Sequence, residues 1–155
     1  MKNKKKKTIC VLLLVGCILL GYFIWVLFRP VKIIAVHQRG SNFSAVLVKN
    51  FPFTDKGKIK WWLENKSILK GKYNVPNPAK DGFFHVTFWL FGDGYKEEGK
   101  YDRLCFDDMK TKANCIEKKP VFTVDKSRNM GVMFTVYEGG DYRLKQDGEI
   151  VKVQR

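Results

Sequence analysis

Twenty consecutive residues without a charge, Ile9 to Phe28, constrain this chain more than any other feature. A helix of that length spans roughly 30 Å, the thickness of a bilayer's hydrocarbon core. Tyr22 and Trp25 lie toward its C-terminal end, where amphipathic rings favour the membrane–water interface. Arg29 and Pro30 close the run: a charge for the headgroup level, then a residue that cannot continue the helical hydrogen-bond ladder. The expected organisation is a basic head over 1–8, a transmembrane helix over 9–28 and one small domain over 31–155.

Direction follows from the flanks. Five of the first seven residues are Lys, whereas Arg29, Lys32 and Arg39 are spread over more chain. The positive-inside rule then places the N-terminus in the cytoplasm. The C-terminal domain would lie in the periplasm, with the helix in a bacterial inner membrane. A cleaved secretory signal would have a shorter apolar region and a small-residue cleavage site, neither of which is present. Leu14-Val15-Gly16-Cys17 resembles a lipobox, which would make Cys17 a lipidation site. However, the next eleven residues stay apolar, where a lipoprotein normally turns to a polar tether. An uncleaved helix is the expectation, and either route leaves a membrane-anchored protein.

Of 29 basic residues, 23 lie in residues 31–155 with all 15 acids, a net of +8 for the domain. No stripe of Lys and Arg interleaves regularly with aromatics, so no nucleic-acid partner is expected. A basic surface at a membrane attracts anionic headgroups or an acidic protein instead.

Cys10 and Cys17 fall in the apolar run, where a free thiol packs as a small hydrophobe. Cys105 and Cys115 flank nine mostly polar residues that read as a turn between short strands. In an oxidising compartment these two most simply form a disulfide, stabilising by roughly 2–3 kcal/mol. A metal site would need further ligands, and His37 and His85 are not near the cysteines in sequence.

Val31 to His37 and Phe43 to Val48 are rich in β-branched residues and flank a Gly40-Ser41-Asn42 turn. Thr54 and Asp55 open a helix, and Ile59, Trp62, Leu63 and Leu69 recur at helical spacing. Lys58, Lys60, Glu64, Asn65 and Lys66 are expected on the remaining faces, and Gly71 with Pro76-Asn77-Pro78 is expected to end the helix. From Phe83 onward strands and turns alternate, with Gly92-Asp93-Gly94 and Gln146-Asp147-Gly148 as turn signals. The fold class expected is α+β: a mostly antiparallel, meandering sheet with one amphipathic helix on a face.

Asp93, Glu97, Glu98, Asp102, Asp107 and Asp108 could serve as acid and base or bind a hard cation, but turns collect solvated acids without function. No calcium-loop pattern and no Gly-x-Ser-x-Gly elbow accompanies the acids or histidines. No catalytic residue, metal or cofactor is therefore expected. The aromatic residues are the better functional clue. Trp61 and Tyr95 are the candidate interface anchors, although a well-filled core would also absorb such residues.

Two long strings carry a resemblance. Val46 to Ile59 with Trp61-Trp62-Leu63, and Phe91 to Lys96 with Tyr101 to Asp108 and Asn114 to Glu117, resemble an enterobacterial family of putative membrane proteins. It is the domain-of-unknown-function family numbered 943. The resemblance covers nearly the whole chain and implies a single-pass envelope protein. It implies no activity and supplies no site residues. The leading expectation is a non-enzymatic protein-binding domain, in a narrower version an immunity or inhibitor type. The alternatives are an accessory subunit of a membrane complex, packing through Gly16 and Gly21, and an envelope enzyme using the carboxylates from Asp93 to Asp108.

Overall fold

A computed structural model describes residues 1–154 and divides into two units, residues 1–30 and the chain from residue 31 onward. In the first unit, α1 runs unbroken from Lys2 to Phe28, so the lysine head is helical too. None of its residues is buried, and it is the one described helix long and apolar enough to cross a membrane. A helix that is apolar on every side needs an apolar solvent rather than one packed partner.

The second unit is α+β. Its strands are β1 (Lys32–Gln38), β2 (Phe43–Lys49), β3 (Phe84–Leu90), β4 (Arg103–Cys105), β5 (Cys115–Glu117), β6 (Pro120–Ser127), β7 (Gly131–Val136), β8 (Asp141–Leu144) and β9 (Ile150–Val153). A second helix, α2 (Asp55–Tyr73), joins β2 to β3. Seven strands form one sheet in the order β1-β2-β3-β6-β7-β8-β9, and β4 and β5 pair separately. The sheet is antiparallel except where β2 pairs parallel with β3. A pure meander would lack that pair. The connection through α2 is long enough to bring the chain back in its original direction, as parallel pairing requires.

Alternation along the strands gives the sheet two faces. Val46 and Val48 of β2, Val86 and Phe88 of β3, Phe122 and Val124 of β6 and Phe134 and Val136 of β7 point to one side. There they meet Ile59, Trp62 and Leu69 of α2. Phe88 lies at the centre of this layer, with ring centroids of Phe51, Phe122, Trp61 and Trp62 within 5.1–6.1 Å. On the other side a smaller cluster of Ala45, Leu47, Leu104, Phe106 and Ile116 lies beneath the β4–β5 hairpin.

α2 starts as its sequence expects, with the Thr54 hydroxyl accepting from the Gly57 N–H at 3.0 Å. Two details differ. The helix passes through Gly71 and stops at Asn74, whose left-handed backbone (φ 53°) lets its N–H reach the carbonyls of Leu69 and Lys70. Asn tolerates that conformation, so it, and not Gly71, provides the C-cap. Lys58 is buried rather than on a solvent face, because its position falls beside Trp62 and Leu69. Its amine donates to the Phe53 carbonyl at 2.8 Å, and burial pulls its pKa down while Asp55 opposes the shift.

Candidate functional site

β3 places His85, Thr87 and Trp89 on the face away from α2, two residues apart. The β1–β2 turn contributes Arg39 and Gly40, β2 contributes Phe43, and the chain after β4 brings Asp107 and Asp108 across. Together they enclose a groove of about 560 Å³ at the edge of the area that the β4–β5 hairpin covers. Thr87 and Thr123 of adjacent strands share a hydrogen bond of 2.9 Å, and Tyr137 lies 3.4 Å further on. Asp125 sits opposite His85. Burial raises the Asp125 carboxyl above the ordinary carboxylate range, and the His85 charge counteracts this.

His37, 5% exposed, does not line the groove but stacks on the wall residue Phe106 with centroids 3.9 Å apart. The Tyr95 phenol is raised above its ordinary pKa by burial and then by the Asp108 charge, so it remains protonated. The His37 Nδ1–H donates to the Asp108 carboxylate at 2.8 Å, and Nε2 shares a hydrogen bond of 2.8 Å with the Tyr95 hydroxyl. Both ring nitrogens are thereby committed. The disulfide between Cys105 and Cys115 closes the hairpin that carries Phe106 and Asp108. These two cysteines are also direct cross-strand partners in the β4–β5 pair.

Of the acids singled out in the sequence, Asp107 and Asp108 reach the groove together, and the others do not line it. Asp93 and Asp102 are 86% and 85% exposed and pair only with surface lysines. Asp108 alone among them joins a cluster. Among the described residues no group of three metal-binding side chains forms. Of the two aromatic candidates, Trp61 is half-buried against Phe51 and Phe88, and Tyr95 is half-buried between His37 and Phe91. Sequence reading missed His37 as a partner of Asp108, 71 residues away. It also missed the approach of Thr87 to His85, where Oγ1 and Nε2 are 3.1 Å apart. The only local signal for the latter was the two-residue spacing on one strand.

A second clasp ties α2 to the sheet. The Asp55 carboxylate accepts from the Tyr142 hydroxyl at 2.7 Å and from the Gly140 N–H at 3.0 Å. The Tyr142 bond is the main reason the Asp55 carboxyl lies below its usual range, and Gly140, Lys58 and Lys152 act in the same direction. The turn passes so close that a Cβ on Gly139 would lie 2.5 Å from Asp55 Oδ1.

Residues 2–154 match the family described as "Enterobacterial putative membrane protein (DUF943)". No curated protein and no solved structure matches the chain.

Proposed function

The chain belongs to this enterobacterial membrane-protein family, and we propose that it is a single-pass inner-membrane protein whose periplasmic domain binds an acidic partner protein and carries out no catalysis. The observation that carries this reading is that the buried histidine behind the groove wall is fully committed. His37 has no nitrogen left for a substrate proton, because Asp108 and Tyr95 occupy both. Phe43, 44% exposed, and Arg39 are left at the rim for recognition. The surplus of positive charge on the domain would speed encounter with an acidic surface and make binding salt-sensitive. An immunity-type protein that blocks a toxin reaching the periplasm is the narrower form, since it needs only a stable, tethered, complementary surface. The Cys105–Cys115 bond supports an oxidising compartment.

The test is crosslinking in intact cells followed by identification of what is captured. A specific acidic protein, lost with Arg39→Glu and Phe43→Ala but retained with Asp93→Asn/Glu97→Gln, is the expected result. A reporter active only in the periplasm, fused after Arg155, should be active. Cys17→Ala should leave size and membrane attachment unchanged.

The Thr87–His85 approach favours one competing reading, an envelope hydrolase with Thr87 as nucleophile. Thr87 is 6% exposed and already shares its hydroxyl with Thr123. If Thr87→Val and His85→Gln abolish a cellular phenotype in folded protein while capture of the partner persists, the enzyme reading replaces the binding one.

A further inference from the structure

α2 covers β2, β3, β6 and β7 but leaves β8 and β9 partly uncovered. Along its flank the helix and sheet diverge into two neighbouring open segments, of about 630 and 550 Å³, and Leu63 lines both. The floor is apolar: Phe84, Val132 and Leu144 in one segment, Ile59, Tyr142 and Ile150 in the other. Lysines form the rim, with Lys66, Lys70 and Lys126 around the first segment and Lys56 and Lys60 around the second. Glu64 is the one acid in either lining, and Lys60 answers it at 3.7 Å. Lys70 turns back to Asn74 and the Pro76 carbonyl. Lys56, Lys66 and Lys126 have no carboxylate within ion-pairing distance among the described residues.

An apolar trough with unpaired cations along its rim matches an amphiphile whose head is negative. Only Arg29, Pro30 and Val31 separate α1 from β1. A tether of that length reaches roughly 10–14 Å and so keeps the domain at the membrane surface. The anionic amphiphile at highest local concentration there is phospholipid.

We propose that the groove between α2 and β7–β9 takes an acyl chain of an anionic phospholipid, with Lys66 and Lys126 holding the headgroup. This rests on the reading of α1 as a membrane anchor. The opposite sheet face, with the groove lined by His85 and Thr87, stays open to a protein partner.

The test uses the full chain reconstituted in bilayer nanodiscs doped with a phospholipid bearing a photoreactive group on its acyl chain. The headgroup is either phosphatidylglycerol or phosphatidylcholine, and labelled peptides are mapped by mass spectrometry. Labelling of α1 with both lipids reports the anchor. The expected result is additional labelling around Leu63, Leu144 and Ile150 with the anionic lipid. Lys66→Gln/Lys126→Gln should reduce that labelling about tenfold or more and leave α1 labelling intact. These two positions are outside the core, so the variant keeps its fold; an unchanged melting temperature checks this. Labelled α1 with an unlabelled groove, or equal groove labelling with both headgroups, overturns the groove assignment alone. Absence of label from α1 overturns the anchor and this inference together. Capture of an acidic protein at Leu63 in cells, in place of lipid, also overturns it.

Discussion

The two faces of the seven-stranded sheet are stabilised by different means. The face under α2 is a continuous apolar layer, in which Phe88, Phe122 and Phe134 are fully buried. The opposite face is apolar only beneath the short β4–β5 hairpin and turns polar at His85, Thr87 and Thr123. Burial of area stabilises the first face, in proportion to the surface removed from water. The second has too little of it, so its cover is fastened by specific bonds: the Cys105–Cys115 disulfide and the Asp108–His37–Tyr95 chain. The groove at His85 and Thr87 opens beside that fastened cover, whereas the troughs by α2 open along the margin of the packed layer.

The largest test of this contrast is Phe88→Ala, which removes the ring at the centre of the packed face. It should cost about 3–5 kcal/mol in chemical denaturation, through lost burial and the cavity left behind. A loss near 1 kcal/mol would mean the layer can collapse around the gap and is less tightly packed than described.

Breaking the staple should do less, and more locally. Cys115→Ser should lower stability by about 2–3 kcal/mol. Hydrogen exchange should then quicken in residues 96–117 while β3 and β6 keep their protection. Uniform loss of protection would show that the two faces act as one unit. Free alkylation of both cysteines in native, unreduced protein would remove the staple from the comparison.

Asp108→Ala leaves His37 with one partner and loosens the loop that walls the groove. The expected cost is about 1–3 kcal/mol, the range for a hydrogen bond to a charged group with its partner left buried. The change should be accompanied by faster exchange in β1 near His37. A fully silent substitution would mark the clasp as incidental.

The smallest effect concerns the attachment of α2. Tyr142→Phe removes the main donor to Asp55 and should cost about 1 kcal/mol at neutral pH. Because the folded Asp55 pKa is depressed, its contribution is present above the unfolded value near 3.8 and is lost as pH falls below it. Melting curves of the variant should therefore fall less steeply than wild type below about pH 4. Identical acid limbs would show that the Asp55 clasp contributes no stability.

Much of this architecture is legible along the chain because short-range rules govern it. The strand from Phe84 to Leu90, the N-cap at Thr54 and the hairpin at Asp147-Gly148 each follow from residues within a few positions of one another. Lys58 shows where such reading fails. Lysine is a solvent-facing residue by type, yet its angular position on α2 lies with the buried stripe, and the Phe53 carbonyl makes burial tolerable. Likewise Trp61 and Tyr95 read as surplus aromatics until Phe51, Phe88 and His37 are brought against them.

The sequence by itself determined the membrane-compatible helix, the α+β class and the family, because uncharged length, residue periodicity and contiguous motif strings are properties of neighbouring residues. Only the tertiary structure decided that β2 and β3 run parallel, that Asp108 alone among the acids from Asp93 to Asp108 bonds a histidine, and that a lysine-rimmed groove opens beside α2. Those features join residues tens of positions apart. Their meeting depends on how strands are ordered in the sheet and on which face each layer covers, and no local spacing in the chain encodes either.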